Sequence, residues 1–294
     1  MTPFFIIGNP RSGTTLLRLM LASHPDLLVT PECGFALWLA EEFEGKDPTL
    51  KAVRVEYAKK VYTSKKFDTW GITYEVLKSH LINSRPRTYG ELVAEVYYCY
   101  GQCILNKKFV RWGDKNNFYI NYINTIREIY PQAQFIHIIR DGRDIACSYQ
   151  ELNLRNLKSR FAPQLPQDVA KIALEWGKNV SLVRSCLDPL DSITKLEISF
   201  HDLIMSPTIK LKEICRFLGV GYDSRMLEYH ELNGKNNLEP EQLMEWKEKT
   251  RFPPQQDRIG RYKKDLKPLD IKIFEQIAGD TLKHYGFPLS EDNH

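Results

Sequence analysis

The chain has 294 residues, of which 43% are hydrophobic and 12% aromatic, which is enough apolar material for one large core. Its formal net charge of +4 is too small for a nucleic-acid-binding protein, in which basic residues dominate a whole face. We therefore expect a single domain over residues 1–294 that takes a small anionic ligand and has no nucleic-acid partner.

The cysteines and the N-terminal residues bear on where the protein works. The six cysteines form no CxxC pair and fall mostly in apolar periodic segments, so we expect buried free thiols rather than disulfides or metal ligands. This usage favours a reducing compartment. The apolar run at 4–7 is too short for a signal sequence or a membrane span. We expect a cytoplasmic protein with no membrane partner and no metal.

The N-terminal segment predicts a strand, a glycine loop and a helix, in that order. Residues 4–7 are a continuous apolar run bounded by Gly8, as in a parallel strand buried on both faces, and residues 14–23 carry leucines at helical spacing. Farther along, the apolar patterns predict strands at 109–112, 135–139 and 194–199 and helices at 119–130, 169–187, 208–218 and 270–284. Strands that alternate with helices indicate a parallel sheet with right-handed crossovers.

Two segments depart from this alternation. Residues 35–105 have helical, amphipathic patterns and predict an insert that covers a binding pocket; the alternative is that its aromatic residues pack in the core. Residues 233–267 have many charges and little periodicity, which indicates a mobile loop or a lid.

Residues 8–15, which follow the first strand, have the glycine spacing of a phosphate-binding Walker A loop. Thr15 matches the hydroxyl position of that motif, but Thr14 stands where its lysine should be. Without the lysine the loop loses its hold on a γ-phosphate and keeps the amide cradle at the helix N-terminus. With Arg11 as a fixed cation, it suits a 5'-phosphate that carries a smaller, less charged group. The alternative is an ordinary strand, turn and helix that binds nothing.

A second candidate anion site follows the apolar strand at 135–139. Arg140 stands at the carboxyl end of that strand, where open α/β sheets bind ligands, and Ser148 comes eight residues later in the next predicted helix. The two side chains can hold one phosphate from two sides. The alternative is that Arg140 pairs with Asp141 or Asp144.

The residues from Pro10 to Leu21, PRSGTTLLRLML, followed by His24-Pro25-Asp26, resemble the 5'-phosphosulfate loop of the sulfotransferases that use 3'-phosphoadenosine-5'-phosphosulfate (PAPS). They are similar in particular to the protein-tyrosine sulfotransferases and the bacterial group related to them. The resemblance implies an α/β fold, a P-loop NTPase-like three-layer sandwich with a central parallel sheet and a helical insert. It also implies PAPS as co-substrate, 3'-phosphoadenosine-5'-phosphate (PAP) as product, and transfer of sulfonate to a hydroxyl or amine.

The resemblance also implies which residues contact the nucleotide. Five loop residues would hold the 5'-phosphosulfate: Arg11, Ser12, Gly13, Thr14 and Thr15. Arg140 and Ser148 occupy the places of the arginine and serine that bind the 3'-phosphate in the family.

The catalytic candidates come from the same resemblance. Glu32 stands at the distance from the loop where the tyrosylprotein enzymes have their general base, although a lone glutamate is more often a surface residue. Lys115 matches a lysine that stabilises the transition state in relatives, with Arg11 as a second cation. Asn116 and Asn117 stand where relatives have a proline, so the direction of the lysine is left open, and a solvated lysine is the alternative.

Histidine is the rival base, because the cytosolic small-molecule sulfotransferases use one. His201, at the end of a predicted strand, competes with Glu32 on that ground. His24 at a helix end and His137 within a strand are predicted to be structural.

A basic segment near the C-terminus is a third candidate anion site. Residues 247–267 contain eight lysines and arginines and three acids, and a solvated surface is the alternative. The part around Arg258, Gly260 and Lys263 resembles the loop with which the family covers the nucleotide.

The combined prediction is a PAPS-dependent sulfotransferase that acts on a small molecule, such as a natural product or a saccharide. Because no signal or anchor is evident, we do not expect a secreted protein tyrosine as the acceptor. One alternative is a kinase-like phosphotransferase with Asp141 as a magnesium ligand, which Thr14 in the lysine position disfavours. The other is a nucleotide-binding module without catalysis. A homodimer is left open.

Overall fold

A five-stranded sheet forms the centre of the molecule. The computed structural model describes residues 1–236 and 238–290. The strands are β1 (Phe4–Ile7), β2 (Leu27–Val29), β3 (Arg111–Lys115), β4 (Gln134–Ile139) and β5 (Lys195–Ser199). They lie in the order β2-β3-β1-β4-β5, and every pairing is parallel. The predicted α/β class with a parallel sheet is confirmed.

Helices occupy most of the remaining described chain. The α-helices are α1 (Thr14–Ala22), α2 (Phe35–Trp38), α3 (Ala40–Phe43), α4 (Lys51–Tyr62), α5 (Tyr74–Asn83), α6 (Tyr89–Cys99), α7 (Ile123–Ile129), α8 (Gly142–Asn153), α9 (Val169–Leu187), α10 (Phe200–Met205), α11 (Pro207–Leu218), α12 (Tyr229–Asn236), α13 (Tyr262–Asp265) and α14 (Pro268–His284). Short 3₁₀ segments lie at Phe67–Trp70, Asn117–Asn121, Ser224–Glu228, Glu241–Trp246, Glu248–Arg251 and Gln256–Arg258, and a π-helical turn at Tyr100–Ile104. None of the described helices has the length and apolar character needed to cross a membrane.

The helices cover both faces of the sheet, because alternate residues of each strand point to opposite sides. Phe5 and Ile7 of β1 pack into the core formed with α2 to α6 and α9. Phe4 and Ile6 pack on the other face, with α1 and α11. The molecule is therefore a three-layer sandwich, as expected when a central strand such as β1 is apolar along its whole length.

Helix ends follow local chemistry. Asp168 precedes α9, and its side chain accepts a hydrogen bond from the Lys171 amide, which satisfies one free donor of the first turn. Pro207 lies in the first turn of α11, and Gly219 ends that helix in the left-handed conformation with φ 70°.

The structure differs from the sequence prediction in four places. Strand β3 begins two residues later than predicted and runs to Lys115, in the register that pairs Phe4 with Gly113. Strand β2 was not predicted, because three residues are too few for a pattern. The helix predicted at 119–130 is divided into a 3₁₀ segment and α7. Residues 238–267 contain short helical segments, which were not predicted within the segment expected to be a mobile loop or a lid.

The helical insert lies between β2 and β3 and packs mainly through aromatic side chains. Phe35 lies 5.6 Å from Trp70 and 5.5 Å from Tyr97, measured between ring centroids. All three are buried. For these aromatic residues the alternative of core packing is the one observed, whereas Trp38 and Lys66 of the same insert line a cavity.

Candidate active site

The strand order places the predicted motifs side by side. Strand β1 lies between β3 and β4, so the loop after β1, Lys115 at the end of β3 and Arg140 after β4 lie at one edge of the sheet. A cavity of about 640 Å³ opens there. Among the predicted site residues it is lined by Arg11, Gly13, Thr14, Thr15, Glu32, Arg140, Ser148 and Arg258.

The loop after β1 makes a tight turn into α1. Gly13 has φ 96°, in the left-handed region that favours glycine, and Arg11 has φ 69°, which is uncommon for a residue with a side chain. Within the described part of the chain, the buried Ser12 Oγ has no hydrogen-bond partner. The free amides at the start of α1 and this hydroxyl suit an anion.

The two predicted phosphate motifs are joined by hydrogen bonds. Arg11 Nε donates to Ser148 Oγ at 3.1 Å, and Arg140 Nη1 donates to the Arg11 carbonyl at 3.0 Å. Burial lowers the pKa of Arg140 to about 10, and its guanidinium lies 4.5 Å from the Phe200 ring. Its Nε is buried and has no partner among the described residues. No hydrogen bond or ion pair among the described residues joins Arg140 to Asp141 or Asp144, but the charge of Asp144 raises the pKa of Arg140 and so offsets part of the effect of burial.

Glu32 is buried and surrounded by three lysines. Oε1 forms an ion pair with Lys115 and lies 3.4 Å from Lys247 Nζ, while Oε2 lies 2.7 Å from Lys66 Nζ. Burial alone would raise the pKa of Glu32, but the three ammonium groups together hold it well below its usual value. The carboxylate is therefore ionised at neutral pH. Glu32 is not the surface residue of the alternative reading.

Lys115 is fully buried and directed at the site. Its Nζ donates to Thr15 Oγ1 at 3.1 Å in addition to its ion pair with Glu32. Burial lowers the pKa of Lys115 to about 8, and the Glu32 carboxylate limits the fall. Lys115 is thus not the solvated lysine of the alternative reading.

Asn116 and Asn117, which stand where the family has a proline, tie the neighbouring segments to the end of β3. Asn116 Nδ2 donates to the Cys33 carbonyl at 3.3 Å, next to Glu32. Asn117 Oδ1 accepts a hydrogen bond from Thr14 Oγ1 at 3.2 Å. The side-chain amides of Asn116 and Asn117 therefore connect the segment that carries Glu32, and the loop after β1, to the end of β3 beside Lys115.

The three histidines considered as rivals or structural residues, His24, His137 and His201, lie outside the cavity wall. His201 is exposed, its Nδ1 lies 3.1 Å from Asp202 Oδ1, and it is not part of the cavity wall. His24 is buried, and its Nε2 lies 2.5 Å from the Gly221 carbonyl oxygen. His137 is buried within β4. The geometry favours Glu32 over His201 as the base.

The phosphotransferase alternative needs Asp141 free to hold magnesium. Asp141 accepts hydrogen bonds from Arg143 at 3.1 Å through Nε and at 2.7 Å through Nη2, and it also caps α8. Because both oxygens are committed to a buried arginine, this carboxylate is poorly placed as a metal ligand.

The C-terminal basic segment folds against α8 and Arg140. The Arg258 carbonyl accepts a hydrogen bond from Arg140 Nη2 at 2.8 Å, and the Gly260 amide donates to Asp144 at 2.8 Å. Lys263 is exposed and lies outside the cavity wall, so its place in a nucleotide-covering loop stays a prediction. Arg261, which was not selected from the sequence, lines the cavity instead.

The sequence analysis did not single out several site residues. Lys66 lies in the helical insert, and Lys247 was counted only as part of the basic segment. Arg18 and Glu239 form a fully buried ion pair beside Lys247. For Arg18 a usable signal was a lone charge in an apolar stretch, because a buried arginine among leucines needs a partner.

The fold and the site together define a P-loop-like α/β protein with two linked candidate anion-binding positions. The family model described as "Sulfotransferase family" matches residues 3–224. The chain therefore belongs to the sulfotransferase family.

Similar proteins agree with this assignment. Protein-tyrosine sulfotransferase 1 of Danio rerio is 26% identical over 243 residues, which cover 80% of this chain and 58% of the relative. The chain spans little more than half the length of this relative. Two solved structures share the fold. The sulfotransferase domain of a Synechococcus olefin synthase is 21% identical with a TM-score of 0.60 and 94% coverage of both chains. The sulfotransferase domain from the curacin biosynthetic pathway is 16% identical with a TM-score of 0.63 and 98% coverage of both.

Proposed function

We propose that this chain transfers a sulfonate group from PAPS to a hydroxyl or amine of a small-molecule acceptor, such as a natural product or a saccharide. One observation carries the proposal. Glu32 lines a large cavity, and its buried ion pair with Lys115 lies beside Thr15 of the anion loop (residues 8–15). A proton acceptor, a cation and an anion cradle are the groups that sulfonate transfer needs.

The two linked anion positions support PAPS as the donor. The loop from Arg11 to Thr15 would hold the 5'-phosphosulfate, and Arg140 with Ser148 the 3'-phosphate. Ser12 Oγ and Arg140 Nε are buried donors with no partner in the described residues, and a phosphate oxygen would satisfy each of them. Family membership supports the same donor.

The chain's own residues can carry out the transfer. Glu32 takes the proton of the acceptor hydroxyl or amine as that atom bonds to sulfur, and the bond between sulfur and the 5'-phosphate oxygen breaks. Lys115 and Arg11 neutralise the negative charge that develops on the sulfonate and the leaving phosphate. The products are the sulfated acceptor and PAP, so charge and atoms balance without a further reactant.

The cavity wall on the side of Glu32 supports a small acceptor. Trp38 and Phe118 stack with ring centroids 5.5 Å apart, and both line the cavity, as does Phe161. A cavity of about 640 Å³ falls in the range typical of small-molecule sites. The aromatic surfaces suit an acceptor with a planar or apolar face.

A second acceptor class is a tyrosine in a peptide. The observation in its favour is the similarity to protein-tyrosine sulfotransferases, which covers 80% of this chain. Either acceptor uses the same base and the same donor site, so only substrate tests separate them.

The test is PAPS turnover by the purified chain, read as PAP release, against phenols, saccharides, amines and a tyrosine-containing peptide. We expect PAP release that depends on an acceptor and is unaffected by adding ATP with Mg²⁺. Turnover with the peptide alone would replace the small-molecule proposal. Binding of ATP with Mg²⁺ in preference to PAP would favour the phosphotransferase instead.

A further inference from the structure

Lys247 is a third ammonium group at Glu32, supplied by a segment far away in the sequence. It lies just after the 3₁₀ segment Glu241–Trp246 and is 6% exposed. Its Nζ lies 3.4 Å from Glu32 Oε1 and 2.7 Å from Glu239 Oε1. A buried ammonium between two carboxylates has its position defined from both sides.

Glu239 is itself fixed from the opposite side. Its Oε2 lies 2.5 Å from Arg18 Nη2, and both side chains are fully buried. Arg18 Nη1 also donates to the Thr30 carbonyl at 3.2 Å, two residues before Glu32. The arginine therefore connects helix α1, the approach to Glu32 and the segment that carries Lys247.

The same segment touches the anion loop. Arg11 Nη1 donates to the Trp246 carbonyl at 3.2 Å. Two adjacent residues thus contact both parts of the site: Trp246 contacts the anion loop, and Lys247 contacts Glu32, the proposed base.

We propose that Lys247 is a positioning residue for sulfonate transfer: it holds Glu32 Oε1 beside Lys115, and Glu239, fixed by Arg18, holds Lys247 there. This inference rests on the proposed function. An ionised carboxylate has about four lone-pair positions, so contacts with three lysines leave room for the acceptor's proton.

The charges around Glu32 decide how the rate would respond to pH. Lys66, Lys115 and Lys247 face the carboxylate, with Asp114 behind Lys115 and Glu239 behind Lys247. Lys247 lowers both the pKa of Glu32 and that of Lys115. Removing the charge of Lys247 should therefore raise the pKa of Glu32 and that of Lys115. Both the acid limb and the alkaline limb of the pH profile of kcat/KM should then move to higher pH.

The experiment compares the parent chain with Lys247→Met, Lys247→Arg and the control Lys210→Met. Lys210 pairs with Glu213 on α11, outside the cavity wall. For Lys247→Met we expect kcat to fall about 10- to 100-fold, as for a misplaced general base. We expect the Kd of PAP to change less than about 3-fold. Both limbs of the pH profile should move to higher pH. The arginine variant should keep the parent's limbs, because its charge remains, and the control should match the parent.

Two results would overturn the inference. One is a folded Lys247→Met variant whose pH limbs coincide with the parent's, which would mean a structural role. The other is weaker PAP binding with an unchanged kcat, which would make Lys247 a nucleotide ligand. If Lys247→Met does not fold, Lys247→Gln gives the same comparison with a polar side chain. If the parent chain does not turn over PAPS, the proposed function is refuted. If the parent turns over PAPS and Lys247→Met has the same kcat and pH profile, this inference alone is refuted.

Discussion

Glu32, which follows β2, and Lys115, which ends β3, form a buried ion pair between the ends of two adjacent strands. The pair holds a proton acceptor and a cation in contact at the edge of the sheet where the anion loop also lies. The hydrogen bond from Lys115 to Thr15, at 3.1 Å, extends this unit to the loop.

Glu32→Gln should abolish transfer and spare binding. The amide has the same size but cannot take the acceptor's proton, so we expect kcat to fall about 100-fold or more. The Kd of PAP, measured by calorimetry, should stay near the parent's value. Glu41→Gln, an exposed change on α3, is the matched control. Equal turnover in Glu32→Gln and the parent would support a binding module without catalysis.

The rate should fall in alkaline solution as Lys115 loses its proton. Burial lowers the pKa of Lys115 to about 8, so kcat/KM should decrease above about that pH. Lys115→Arg keeps a charged group at higher pH. The alkaline limb of this variant should therefore move to higher pH, even if its maximum rate is lower than the parent's. An alkaline limb at the same pH in both proteins would assign the titration to another group.

Arg140→Lys should weaken binding of the 3'-phosphate specifically. Loss of the forked guanidinium removes a charge-assisted hydrogen bond, and we expect the Kd of PAP to rise about 10- to 100-fold. AMP lacks the 3'-phosphate, and its Kd should change less than about 3-fold. Arg225→Lys on the exposed surface is the control. An equal loss for PAP and AMP would place Arg140 elsewhere on the nucleotide.

Glu239→Gln should destabilise the fold. The change leaves Arg18 buried without its ionic partner, and breaking a buried pair on one side typically costs about 3 kcal/mol or more. The free energy of unfolding in urea measures the loss. Glu241→Gln, whose exposed carboxylate pairs with Arg251, should have no measurable effect. Identical unfolding curves for the parent and Glu239→Gln would show that the pair adds nothing to stability.

Local patterns were sufficient to predict four of the five strands and the glycine loop at residues 8–15. The continuous apolar run before Gly8 predicted β1, and the glycine spacing of residues 8–15 predicted the turn into α1. Arg140 directly follows an apolar strand, so its place at the sheet edge followed from the parallel arrangement. In each case the signal lies within about ten residues of the site.

The lysine cluster at Glu32 could not be predicted in this way. Lys66 lies 34 residues from Glu32, and Glu239 lies 221 residues from its partner Arg18. Their positions depend on how the helical insert and the segment after α12 pack against the sheet. In the sequence, Lys247 is one of many basic residues, and only the tertiary structure distinguishes it from its neighbours.

The most direct test of the account is a crystal structure of the chain with PAP bound. We expect the 5'-phosphate within about 3 Å of the amides or side chains of residues 11–15, and the 3'-phosphate at the same distance from Arg140 and Ser148. A nucleotide bound elsewhere, or with its two phosphate ends exchanged, would contradict the account.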